Sequence, residues 1–338
     1  MRYLARRIVL MVFVLWGVTF ITFFLSRVVP GDPARFIAGP RANAEALANI
    51  RLLYGLDRPL PEQYVTYLTN LLHGDLGMSI VTRRPVTEDI ATYFPASLEL
   101  ALYGLLLSTA IGLALGVVGA LRGGRTDRVV QVIAILTLSL PAFWIAMVSQ
   151  VAFYSGLGLL PFGGRLPIGA TPPPTVTGMF SVDSLLAGNL GLFLTSVRHL
   201  VLPVTVLSLA LIGVMARITR GSMLQVLDED YVRTARSKGL SRARVLSRHS
   251  FRNAMLAPVT VLGLNLGLLA GGVFLVETIF AWPGIGRYGF TAIANSDYNA
   301  TMGVTLVVAF VYVVANLAVD LLYLVLDPRI RYGADGVT

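Results

Sequence analysis

The chain has 338 residues, 55% of them hydrophobic and only 13% charged, with a mean hydropathy of +0.73. Soluble domains carry about 25% charged residues, so a soluble enzyme, a disordered chain and a nucleic-acid-binding domain all fit this composition poorly. The net charge of +9 comes from 27 basic and 18 acidic residues, and in a membrane protein its distribution matters more than its sum. No cysteine is present, which removes disulfides, thiolate chemistry and Cys-ligated metal sites.

A helix needs about 20 apolar residues to cross about 30 Å of hydrocarbon. Six runs of that order occur, at 8–29, 98–121, 129–157, 199–218, 258–280 and 301–326. They do not alternate as barrel strands do, so the fold expected is an all-α polytopic membrane protein of about six transmembrane helices. The first run follows Arg2, Arg6 and Arg7, as a secretory signal does. It exceeds the 7–15 apolar residues of a signal, however, and leads into Pro30-Gly31-Asp32-Pro33 rather than a small-residue cleavage site. It reads as a retained span.

The next segment, 30–97, reads as a small extracytoplasmic layer. Ala46, Leu47, Ile50, Leu53 and Tyr54 have the spacing of a short amphipathic helix over 44–54, with Asn43 placed to cap it. Gly55 to Pro59 breaks it, 63–72 reads as a second short helix, and Gly74-Asp75-Leu76-Gly77 as a turn. A later loop, 156–197, contains Pro172-Pro173-Pro174 and is expected to be irregular.

Sorting the charges by side orients the spans. The N-terminus, the loop 122–128, the stretch 217–252 and the tail after Leu326 hold 17 basic residues against six acids. The opposite side holds ten against 11, and Asp320 lies inside the last span. The positive-inside rule places both termini in the cytoplasm, in agreement with an even number of spans.

The cytoplasmic stretch between spans four and five is the most informative. Asp228-Glu229-Asp230 precede Tyr231 to Lys238, putting acids at the start and bases at the end of a short helix, where each complements the macrodipole. Gly239 is placed to end it as a left-handed C′ residue. Ser241 is positioned to cap a following basic helix over 242–256. A short helix held between two spans is a docking element; an ordinary solvated, positive-inside loop is the plainer alternative.

Other chemistry is sparse. Lys238 is the sole lysine and precedes Gly239, so no Walker phosphate loop is possible. His73, His199 and His249 lack metal-ligand spacing and read as surface or interfacial residues. No GxSxG, HExxH or paired-carboxylate arrangement stands out. Among polar residues in the spans, Asn316 and Asp320 lie four apart on one helical face. With Gln150 and Asn265 they line a solute path or hydrogen-bond between helices, and helix packing is the preferred reading. Gly263, Gly267, Gly271 and Gly272 make span five suited to close helix approach.

The stretch Asp230-Tyr231-Val232-Arg233-Thr234-Ala235-Arg236-Ser237-Lys238-Gly239, followed by Arg248-His249 and Arg252-Asn253-Ala254, resembles the cytoplasmic signature loop of permease subunits of bacterial binding-protein-dependent ABC importers. More narrowly, the chain resembles the first permease of the dipeptide/oligopeptide/nickel group. Pro30-Gly31-Asp32-Pro33, Tyr54 to Asp57, Gly74 to Gly77, Glu277 to Arg287 and Asp327-Pro328-Arg329 extend the likeness over nearly the whole sequence. The broad permease pattern has Glu-Ala-Ala where Arg233, Thr234 and Ala235 stand.

The resemblance implies a type I importer fold in the bacterial inner membrane. It implies a coupling helix made by Asp230, Tyr231, Val232, Arg233, Thr234, Ala235, Arg236 and Gly239, and alternating access for peptides or a related small solute. The partners implied are a homologous second permease, two ATPase subunits carrying ATP and Mg, an extracytoplasmic solute-binding protein and membrane lipid, but no nucleic acid. This chain itself would hold no cofactor or metal and perform no catalysis. The organisation expected is residues 1–29 as the N-terminal end and first span, 30–97 as the extracytoplasmic region, and 98–338 as the permease core with the coupling loop at 219–257. The alternative is a self-sufficient secondary transporter or channel, which inverted repeats would favour; no obvious repeat relates 1–150 to 151–338. A third class, an intramembrane enzyme, lacks a convincing catalytic pair.

Overall fold

The computed structural model describes residues 2–28, 34, 42–53 and 55–326, with side chains except at 2–5, 53, 242, 249, 264–272 and 322–326. It is helical, with one isolated β-bridge, Met78 to Pro85, among the described residues. In chain order the helices used below are α1 (Arg2–Val28), α2 (Ala44–Leu53), α3 (Leu60–Leu72), α4 (Val86–Arg122), α5 (Gly124–Ser139) and α6 (Ala142–Ser149). After α6 the chain widens into a π-helical turn, Gln150–Gly156. Then come α7 (Phe180–Leu186), α8 (Leu190–Leu227), α9 (Asp230–Ser237), α10 (Leu256–Ile279), α11 (Ile285–Ala294) and α12 (Tyr298–Leu326).

Among the described residues four helices are long and apolar enough to cross a membrane: the Arg6–Arg27 part of α1, then α4, α8 and the Tyr298–Leu321 part of α12. Counting α5 and α6 as one broken span makes five. The span expected over 129–157 is therefore not one continuous helix: the two helices meet at 96°. Pro141 is the cause. It forces Leu140 out of the helical region, to φ −88° and ψ 129°, and restarts the helix as its N-cap. α10 covers the run expected at 258–280. The Pro30–Pro33 and Asp327–Arg329 motifs, Tyr54, and the side chains of Asn265, Gly267, Gly271 and Gly272 lie outside the described residues.

Helix ends follow capping chemistry more closely than hydropathy. Asn43 Oδ1 accepts from the Ala46 amide at 2.9 Å, capping α2. α3 begins at Leu60 rather than 63, since a proline in the first turn forfeits only an amide that has no partner there. Asn189 Oδ1 caps Leu192 at 2.9 Å and starts α8 nine residues before the apolar run at 199.

The chain divides into two compact units, Met1–Ser97 with Pro283–Val313, and Leu98–Trp282 with Val314–Thr338. In the first, α1 packs on α3 through Thr19 and Tyr64, whose hydroxyls are 3.0 Å apart, and through stacked Phe23 and Tyr67 rings. Its core is Val86, Tyr288, Ala292 and Ala300. Two buried carboxylates hold the loop around 79–84. Asp297 accepts from the Ser79 hydroxyl at 2.6 Å and the Ile80 amide at 2.8 Å. Asp89 accepts from the Thr82 and Tyr288 hydroxyls and pairs with Arg84. Burial, then the bond to Asp89, pushes the Tyr288 hydroxyl well above the usual phenol range.

In the second unit α8 is the hub, packing on α5, α7 and α10. α4 meets it through Gly112 and Gly116, a pair at spacing four. A methyl group at either position would lie 2.5 Å from the Cβ of Met215 or Thr219, so only glycine permits this approach. Gly263 of α10 is similarly crowded by Val319 of α12.

Candidate functional site

Two constructions stand out in the second unit. The first is α9. Asp228 ends α8, and Glu229, in extended conformation, leads into α9 without a side-chain cap. Asp230 lies in the first turn and Arg236 in the last, the order that complements the helix dipole. Val232 and Ala235 are buried against Val245, with Val226 and Leu240 beside them. Asp230, Tyr231, Arg233, Thr234 and Arg236 are exposed. An eight-residue helix is marginal alone, so its stability comes from this buried edge and from its ends.

The C-terminal end is a Schellman motif. Gly239 has φ 76°, its amide bonds to the Arg236 carbonyl at 3.0 Å, and the Leu240 amide bonds to the Ala235 carbonyl at 3.4 Å. Leu240 then packs on the buried edge of the helix. The continuous helix expected over 242–256 is instead π-helical over Val245–Phe251 and interrupted at Met255. The wider turn adds a residue per turn. It lets Val245 face α9 while the Ala254 carbonyl accepts the Ser222 hydroxyl at 2.8 Å, and Asn253 donates to Tyr231 Oη at 3.0 Å.

The second construction anchors the loop 157–179. Glu99 and Arg165 form a buried ion pair at 2.6 Å. Glu99 Oε1 also accepts from the Ser181 amide at 2.8 Å and hydroxyl at 2.5 Å. Arg165 donates to the Gly178 carbonyl at 2.7 Å and stacks 3.6 Å over the Phe180 ring. Burial pulls its guanidinium pKa down, and Glu99 opposes this. Asp183 accepts the amides of Val176, Thr177 and Gly178 and the Thr177 hydroxyl. Burial alone would raise its pKa, but these four bonds hold it below the usual carboxylate range.

Gln150 and His199 belong to the same anchoring set. The Gln150 amide donates to the Phe162 and Ile279 carbonyls at 2.9 and 3.1 Å. His199, expected as a surface or interfacial residue, is 7% exposed, with Nδ1 3.0 Å from the Gly163 carbonyl and 3.1 Å from that of Gly164. Asn316 and Asp320 lie one turn apart on α12, both half-buried. Sequence reasoning missed Glu99 and Arg165. The available signal was isolation: each is a lone charge, opposite in sign, in an otherwise neutral stretch.

The described residues thus combine several helices long and apolar enough to cross a membrane with a displayed short helix, α9. The family model "Binding-protein-dependent transport system inner membrane component" matches residues 108–332, and the corresponding N-terminal model matches 1–101. The chain belongs to this family of multi-pass inner-membrane permeases. It is 47% identical to the probable D,D-dipeptide transport system permease protein DdpB of Escherichia coli K12, covering 96% of this chain and 95% of that one. It is 44% identical to the di/tripeptide transport system permease protein DppB of Pseudomonas aeruginosa UCBPP-PA14, covering 98% of both. In fold it is similar to a chain of the MetNI methionine ABC transporter in an inward-facing conformation, with TM-score 0.51 and 15% identity over 69% of this chain and 93% of that one.

Proposed function

We propose that this permease is one of two homologous subunits forming the solute pathway of an ATP-driven importer for short peptides, and that α9 is its coupling helix. The peptide assignment rests on relatives at 44–47% identity whose names specify dipeptide or di/tripeptide transport. The solute arrives from an extracytoplasmic binding protein at the loops 30–97 and 156–197. The chain crosses the membrane six times with both termini in the cytoplasm, which accords with its charge asymmetry. It hydrolyses no ATP itself; ATP and Mg belong to the two ATPase subunits. Their closure on nucleotide moves α9 and biases the bundle between two arrangements of its access path.

The observation that carries the coupling assignment is the construction of α9. One edge is locked by Val232, Ala235 and the Leu240 contact, and the opposite face is polar and exposed. A helix fixed on one side transmits a push from the other. The test is co-purification of the ATPase subunits with Gly239→Pro, together with transport. Insertion is expected to persist while ATPase association and uptake fall at least tenfold. Undiminished association and uptake would remove the assignment.

A further inference from the structure

α5 and α8 touch where Gly213 brings the backbones close: a methyl group there would lie 2.6 Å from the Ala134 carbonyl oxygen. Two turns along, Arg220 of α8 grips Asp127, near the start of α5, through two N–H groups, and Gln131 donates to the same carboxylate at 2.9 Å. Between these contacts the helices part around a cleft of about 370 Å³. Its walls are Val130, Ala134, Ile135 and Ala216, and Arg217 stands at its edge.

Asp127 is saturated by Arg220 and Gln131, leaving Arg217 as surplus positive charge. Arg217 and Arg128 are both exposed and hold no ion pair among the described residues. Arg128 precedes Gln131 and Ile135 by one and two turns, so all three share a face of α5. Val129, Val132, Ile135 and Leu136 of the same helix are each more than half exposed, continuing the apolar surface away from the cations.

We propose that this cleft binds one anionic phospholipid. Its phosphodiester pairs with Arg217 and Arg128, and an acyl chain runs along Ile135 and the exposed Val132 and Leu136 beside it. The mixture of groups selects this ligand class. A free anion would leave the exposed Ile135 beside Arg217 without an apolar partner, and a lipid with no net charge would leave Arg217 uncompensated. An amphiphile with one anionic end satisfies both parts.

The experiment is native mass spectrometry of the full-length chain, purified in mild detergent and titrated with phosphatidylglycerol or phosphatidylcholine. Wild type is expected to retain one phosphatidylglycerol at least fivefold more strongly than phosphatidylcholine. Arg217→Gln should lose that preference and Arg217→Lys should keep it. Ile135→Trp fills the cleft with both arginines intact and should also lose it, which decides the matter if Arg217→Gln does not purify as a monodisperse species. Inorganic phosphate at equal concentration should not displace the lipid. Equal phosphatidylglycerol retention by wild type, Arg217→Gln and Ile135→Trp would overturn the proposal. So would displacement by inorganic phosphate, which would mark a simple anion site.

Discussion

Gly239 has to adopt φ 76° for the Schellman bonds to close, and an L side chain in the left-handed region costs about 1–2 kcal/mol. Gly239→Val should therefore loosen the end of α9 without disturbing the spans. Trypsin cleavage near Lys238 in inverted membrane vesicles checks this: faster cleavage is expected in the variant, and an unchanged rate would contradict it. The Glu99–Arg165 pair poses a different problem. Removing one partner strands a buried charge, a loss of about 3–5 kcal/mol. Arg165→Leu should lower the thermal midpoint substantially, and adding Glu99→Leu should recover part of the loss. Additive losses would show that the two side chains do not act as a pair. Asp183 sets a pH limit. Its pKa is depressed in the folded chain, so its contribution is present above the unfolded value of about 3.9 and is lost as pH falls through the folded value. The thermal midpoint should drop below about pH 4 in wild type and respond less to pH in Asp183→Asn; equal pH dependence would refute this.

Among the elements, α4 and α8 depend most plainly on individual residues. Gly116→Leu should force the helices apart and lower the folded yield, measured as monodisperse protein after solubilisation, while Gly221→Leu, with nothing within 4 Å of the added carbon, should leave it near wild type. Equal yields would contradict the contact. Helix existence was legible from hydropathy, and the ends of α2 and α9 from Asn43 and Gly239. The bend between α5 and α6 was not read, although Pro141 signals it, because a long apolar run masked the proline. The π-helical stretch before α10 follows from contacts made by Val245, Asn253 and Ala254, which come from distant parts of the chain and leave no local pattern. The anchored loop escaped for a related reason. Gln150, His199 and Arg165 bond mainly to backbone carbonyls and to Glu99, so nothing in their spacing announces that they act together. Only α9, whose residues are contiguous, could be read whole.

At the scale of the whole molecule, the charge distribution becomes a statement about orientation. A chain without cysteines allows a single introduced thiol to report its side of the membrane. Ser241→Cys should react with an impermeant maleimide only after the cytoplasmic face is opened; labelling of intact cells would reverse the topology. The central claim, that α9 transmits ATPase movement to the bundle, is tested most directly by cross-linking from its two faces in the assembled importer. Thr234→Cys, on the exposed face, should form a cross-link to an ATPase subunit whose yield changes when nucleotide is added. Ala235→Cys, on the buried edge, should form none. Absence of any link from Thr234→Cys in a complex that still transports, or equal linking from both positions, would contradict the account.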